Sequence, residues 1–144
     1  MADRRADVTW NGDLMSGSGT VDRVGSGAFG PLDVSWPARS EEASGGKTSP
    51  EELIAAAHAS CFSMSLAGGL AKAGTPPERL STSATVTFVP GTGITKVALT
   101  VRGSVPSLDA DGFRAAANTA KANCPVSKAL AGVGEITLDA QLES

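Results

Sequence analysis

Residues 48–66, TSPEELIAAAHASCFSMSL, decide how this chain reads. Ser49 can N-cap a helix, Pro50 suits its first position, and Glu52 stands where a capping box needs it. From Leu53 to Ala71 no formal charge interrupts the run, and Gly74 ahead of Pro76 and Pro77 is the stop signal. The spacing predicts one helix ending near Ala73. Ala, Ser and Gly occur on every side of it, so it is apolar nearly all round but too polar and too short for a bilayer. Such a helix belongs inside a protein. One sheet covers only one side of a helix, so burial all round calls for a second sheet, expected from a partner chain.

Outward from this helix the chain reads as strands. ADVTW, GTVDRV and LDVSW alternate with glycine turns in the first forty residues, and NGD can form a hairpin turn. Ala84, Val86 and Phe88 alternate with polar residues in SATVTFV. TKVALTVRG sets Val97, Leu99 and Val101 on one face, and EITLDAQLE does so with Ile136, Leu138, Ala140 and Leu142. DADGFRAAANTAKAN and PVSKALAG read as helices. The expected fold is α+β, with antiparallel sheets wrapped around a central buried helix in an intertwined homodimer.

A chain of 144 residues is long enough for one domain with a real core, so residues 1–144 are read as a single domain. Net charge is −3 and no basic run exceeds Arg4-Arg5, which removes a nucleic-acid footprint. The start, MADRRADVTW, has no signal-like apolar core, and no uninterrupted apolar segment is long enough for a membrane span. A cytoplasmic location is expected. One His and two Cys without a CxxC give no zinc set, so no metal and no bound cofactor are expected.

In a reducing compartment, two cysteines are more often chemical or simply buried than a structural disulfide. His58 lies three residues before Cys61, so a Cys–His nucleophile pair competes with a hydrogen-bonded interior histidine, the commoner outcome. Cys124 precedes Pro125, which pushes it out of helical geometry and suits it to N-cap the PVSKAL helix. There the helix end lowers a thiol pKa; the alternative is a small residue filling a junction.

TSPEELIAAAHASCFSMSL together with AKANCPVSKAL resembles the two signature segments of the OsmC/Ohr family of thiol peroxide reductases, and PEELIAAAHASCF with NCPVS resembles the OsmC branch. WNGDLMSGSGTV and ITLDAQL extend the likeness over nearly the whole chain. The resemblance implies that Cys61 attacks an organic hydroperoxide and that Cys124 resolves the sulfenic acid as a disulfide. It implies recycling by an external dithiol, of lipoyl type in this family, carried on a lipoylated protein or similar donor. It also implies an arginine and a glutamate: Glu51 matches by position, and Arg39 matches in the segment before the helix, with Arg23 as the alternative because the SEEASGG loop loosens the register. Read without the resemblance, Arg39 is a solvated loop charge and Glu51 compensates the helix dipole.

If Cys61 is the attacking thiol that the resemblance implies, there is a physical reason for it to need a cation. Cys61 lies ten residues into the helix, roughly 15 Å from its start, beyond reach of the dipole. Burial raises a thiol pKa, whereas one arginine at about 4 Å contributes about 4 kcal/mol at an effective dielectric near 20. A fall in pKa from about 8.5 to about 6 raises the thiolate roughly thirtyfold at neutral pH but costs about tenfold in nucleophilicity. About threefold remains, so the cation must also stabilise charge on the leaving oxygen.

Two other functions compete. A cysteine acyl hydrolase using Cys61 and His58 would leave Cys124 dispensable. A non-catalytic carrier of apolar ligands would bind normally with both cysteines replaced and would consume no peroxide.

Overall fold

The computed structural model describes all residues, 1–144. It divides into two compact units, Met1–Leu53 and Ile54–Ser144. In the first, β1 (Ala6–Asn11), β2 (Ser18–Val24) and β3 (Leu32–Val34) form an antiparallel sheet in that order. The hairpin loop at NGD is longer than a two-residue turn, since Asn11 pairs with Ser18. The apolar side chains of β1 stay open, with Val8 60% and Trp10 40% exposed.

After β3 the structure departs from the expected loop. Ser35 accepts a hydrogen bond from the Ala38 N–H at 3.2 Å and caps a short helix, α1 (Trp36–Ser40), which carries Arg39 in its last turn. Arg39 is therefore a helical residue, not a loop charge. The signal was a serine followed closely by a proline, a helix start that a five-residue element gives no room to confirm by periodicity.

α2 (Pro50–Lys72) runs unbroken and begins as expected: Ser49 Oγ accepts from the Glu52 N–H at 3.2 Å. The reciprocal half of the capping box is replaced, because Glu52 accepts from the Thr48 hydroxyl at 2.9 Å. Gly74 ends the helix with φ +88°, a conformation favoured by glycine, and the N–H groups of Gly74 and Thr75 close onto Ala71 and Leu70. α2 has 23 residues and contains an 18-residue window of mean hydropathy 1.4, so it reaches the length and apolarity of a membrane-crossing helix, contrary to the sequence expectation. By composition alone the core helix of a globular protein passes the same test.

The second unit holds a sheet of order β4 (Arg79–Val89), β5 (Gly93–Ser104) and β6 (Glu135–Leu142), with α3 (Ala110–Asn123) and α4 (Pro125–Ala129) between the last two strands. β4 and β5 are antiparallel, but β6 pairs in parallel with β5, so this sheet is mixed. The helical crossover returns the chain to the starting end of β5 before β6 begins. Val97, Leu99, Val101 and Ala140 face a core completed by Phe62, Leu66 and Leu70 of α2 and Phe113 of α3. Gly103 admits the Phe113 ring; a Cβ there would lie 2.5 Å from it.

His58, Phe62, Leu66 and Leu70 follow the four-residue spacing of one helix face and are buried. Ala56, Ala57, Ser60, Met64 and Gly68 on other faces are exposed, Met64 by 74%. Burial all round is therefore not reached within one chain. Phe62→Ala should cost about 3–5 kcal/mol, read as a lower urea midpoint with an unchanged slope.

Candidate active site

The second unit brings both cysteines together. Cys61 projects from the middle of α2 and is partly exposed; Cys124 is fully buried where α3 ends and α4 begins. Its backbone (φ −55°, ψ 125°) leaves helical geometry as a residue before proline must, so Cys124 N-caps α4 as expected. The two thiols are free and close enough for each to shift the acidity of the other.

Burial first, then the neighbouring Cys124 thiol, pushes the Cys61 thiol above the usual range; the Val126 amide and the Ser65 hydroxyl pull less strongly the other way. Burial also acts to raise Cys124, but Cys61, the Ser127 amide and hydroxyl, and the Val126 amide together outweigh it and hold it below the usual range. No capping bond of normal geometry reaches the Cys124 sulfur, so these amides act on it at longer range, as dipoles. Of the two thiols, Cys61 therefore holds its proton the more tightly. Acidity favours Cys124 as the thiolate, while exposure leaves only Cys61 open to an incoming molecule.

His58 is completely buried and its Nε2 lies 2.8 Å from Ser127 Oγ. Its Nδ1 is buried without a partner, and burial lowers its pKa, favouring the neutral imidazole. The groups acting on Cys61 are Cys124, Val126 and Ser65, not His58. The interior-histidine reading is the one the structure bears out. The sequence places Ser65 on one helical stripe with His58 and Cys61 but does not single out Ser127; the available signal was its third helical position after Cys124, where a side chain can turn back to the cap.

A groove of about 390 Å³ opens between α2 and α3, lined by Ser65, Gly69, Ala115, Ala116, Ala120 and Asn123. Its lining is largely apolar, and Ser65, which acts on the Cys61 sulfur, stands in its wall.

In the first unit, Arg39 Nε donates to Glu51 Oε1 at 2.9 Å. Glu51 is 6% exposed despite its charge, and its Oε2 is buried without a hydrogen bond. A carboxylate buried in the first turn of a helix is held by that helix end and by a paired guanidinium. Arg23 instead pairs with Asp7 at 3.0 Å on an exposed surface. Of the two candidate arginines, Arg39 is the one that meets Glu51. No cluster of three or more His, Cys, Asp or Glu side chains suited to a metal occurs.

A family model described as OsmC-like protein matches residues 43–139. Peroxiredoxin OsmC of Escherichia coli (strain K12) is 42% identical over 144 residues, covering 98% of this chain and 97% of that protein. Among solved structures, the organic hydroperoxide resistance protein OhrB of Bacillus subtilis aligns with TM-score 0.61 at 24% identity, over 96% of this chain and 98% of that one. An OsmC-like protein of unknown function from Vibrio cholerae aligns with TM-score 0.71 at 18% identity, over 97% and 99%. These structural likenesses speak for the fold, and the sequence match over nearly the whole length speaks for descent: the chain belongs to the OsmC-like family.

Proposed function

We propose that this chain reduces organic hydroperoxides to alcohols through a Cys61 sulfenic acid and a Cys61–Cys124 disulfide. Its relationship to named peroxiredoxins makes it a cysteine-based peroxidase. The observation that carries the finer reading is a pair of free thiols that act on each other, one partly exposed and one fully buried.

The Cys61 thiolate attacks the terminal peroxide oxygen, the O–O bond breaks, and the alkoxide leaves as alcohol after taking a proton. Cys61 is then a sulfenic acid. The Cys124 sulfur attacks it, the S–S bond forms, and hydroxide leaves as water. An external dithiol, of lipoyl type, reduces the disulfide and returns both thiols.

Cys61 needs help for the first step, because its surroundings hold its pKa up. The Arg39 guanidinium, fixed by Glu51, supplies that help by favouring the Cys61 thiolate and by stabilising the leaving oxygen. The protein works as a cytoplasmic homodimer in which a second chain covers the open apolar faces of α2 and β1. Exposed Met64, Val8 and Trp10 support this.

The groove beside Ser65 suits an alkyl group, so organic peroxides should outrun hydrogen peroxide. Each buried methylene contributes about 0.8 kcal/mol, and a few carbons give about tenfold or more in kcat/KM. Consumption of cumene, tert-butyl and hydrogen peroxides with a dithiol donor tests this; equal efficiency would remove the apolar pocket from the mechanism. A chain that consumes no peroxide, yet binds apolar ligands with both cysteines replaced, would be a carrier.

A further inference from the structure

Resolution requires Cys124 to react as a thiolate inside a core where it has no exposure to water. Its proton must therefore leave through protein groups. In the reduced state the Cys61 thiol is the foremost group lowering the Cys124 pKa. Once Cys61 carries a hydroxyl on its sulfur, that S–H donor no longer exists. What remains around the buried sulfur is Ser127 and the two amides of α4.

Ser127 is itself only 8% exposed and stands at the third position of α4, in the turn that Cys124 caps, and it acts on the Cys124 thiol. On its other side the same oxygen lies 2.8 Å from His58 Nε2. His58 has no exposure, no contact role in the attack on peroxide, and an Nδ1 left without a partner. An interior imidazole held at one nitrogen and orphaned at the other is costly as a packing residue alone.

We propose that Ser127 and His58 form a buried proton relay that activates Cys124 for disulfide closure. This inference rests on the two-cysteine peroxidase reading. The balance is as follows. The Cys124 S–H proton passes to Ser127 Oγ as the Ser127 proton passes to His58 Nε2, leaving a thiolate and an imidazolium around an intact hydroxyl. The thiolate attacks the Cys61 sulfenic sulfur, the S–O bond breaks, and the departing hydroxide takes up one proton as water. Return of the proton from His58 through Ser127 to that oxygen restores the neutral imidazole, so no net charge is created in the core. Ser127 and His58 are positioning and proton-transfer residues for Cys124 and take no part in the attack by Cys61.

Single-turnover kinetics on the full-length protein separate the two steps. Cys61 oxidation is followed by sulfenic-acid trapping, and closure is followed by the loss of the second free thiol, that of Cys124, as the disulfide forms. His58→Gln keeps a hydrogen-bonding group facing Ser127 but cannot carry a proton. Ser127→Ala removes the hydroxyl, and Ser127→Thr restores it. The expected result is an unchanged rate of Cys61 oxidation in all three. Closure should slow about tenfold or more in His58→Gln and Ser127→Ala and recover in Ser127→Thr. Closure at the wild-type rate in both deficient variants overturns the relay, and so does loss of both steps together, which marks a purely structural role. If wild type itself forms no disulfide after peroxide, the underlying peroxidase reading fails instead.

Discussion

Cys124→Ser reduces one equivalent of organic hydroperoxide and then stops. Cys61 is the exposed partner of the pair, so its oxidation does not depend on the buried thiol as an attacker. Without Cys124 no disulfide closes, and Cys61 waits as a sulfenic acid open to further oxidation. Intact mass after one equivalent should rise by roughly 16 Da in the variant, one added oxygen, and fall by roughly 2 Da in wild type, two lost hydrogens. Steady-state turnover with a dithiol donor should fall by about a hundredfold or more. The thiol acidities sharpen this expectation. Burial first, and then the neighbouring Cys124 thiol, raise the Cys61 pKa. Removing that thiol should leave the first oxidation at least as fast as in wild type. Sustained wild-type turnover by the variant would exclude Cys124 from the cycle.

A dimer of one Cys61→Ser chain and one Glu51→Gln chain regains activity that neither homodimer has. Glu51 and Cys61 stand ten residues apart on the unbroken α2, about 15 Å along the axis, farther than a glutamate side chain extends. Glu51 holds Arg39 at 2.9 Å, so the pair travels together. The sequence expectation took only Glu51 from the partner, to complete an Arg39–Cys61 site. Because Arg39 meets Glu51 within one chain, both come from the partner in a shared site. The surviving Cys61 of the mixed dimer then meets an intact Glu51, and one full site returns, about half of wild-type activity. If the site is built within one chain, neither chain of the heterodimer has a complete set. Forced heterodimers that remain as inactive as both parents would refute the shared site.

Much was legible in residues 48–74 because local chemistry governs helix ends. The Ser49 cap and the Gly74 stop need only their neighbours, and both stand as read. The alternation of Val97, Leu99 and Val101 likewise announced an inner strand face, since side chains alternate whatever the strand pairs with. Cys124 as an N-cap followed from Pro125 alone. Pairing direction is different in kind. That β6 runs parallel to β5 depends on how α3 and α4 carry the chain, which no strand pattern encodes.

The site divides in the same way. The sequence by itself singled out Cys61, Cys124, Glu51 and Arg39 through motifs. It expected Glu51 to hold an arginine and preferred Arg39 to Arg23. It could not tell that Arg39 meets Glu51 within one chain while Arg23 goes to Asp7, because that depends on where α1 sits. Nor could it pair His58 with Ser127, 69 residues away. It expected α2 to be buried on all sides, from a composition that reports only what a surface tolerates. The tertiary structure decided which face the chain's own core covers: His58, Phe62, Leu66 and Leu70 turn inward, while Met64 and Gly68 stay open. Apolar character is written into a residue, but what buries it depends on the groups that the fold carries to its side.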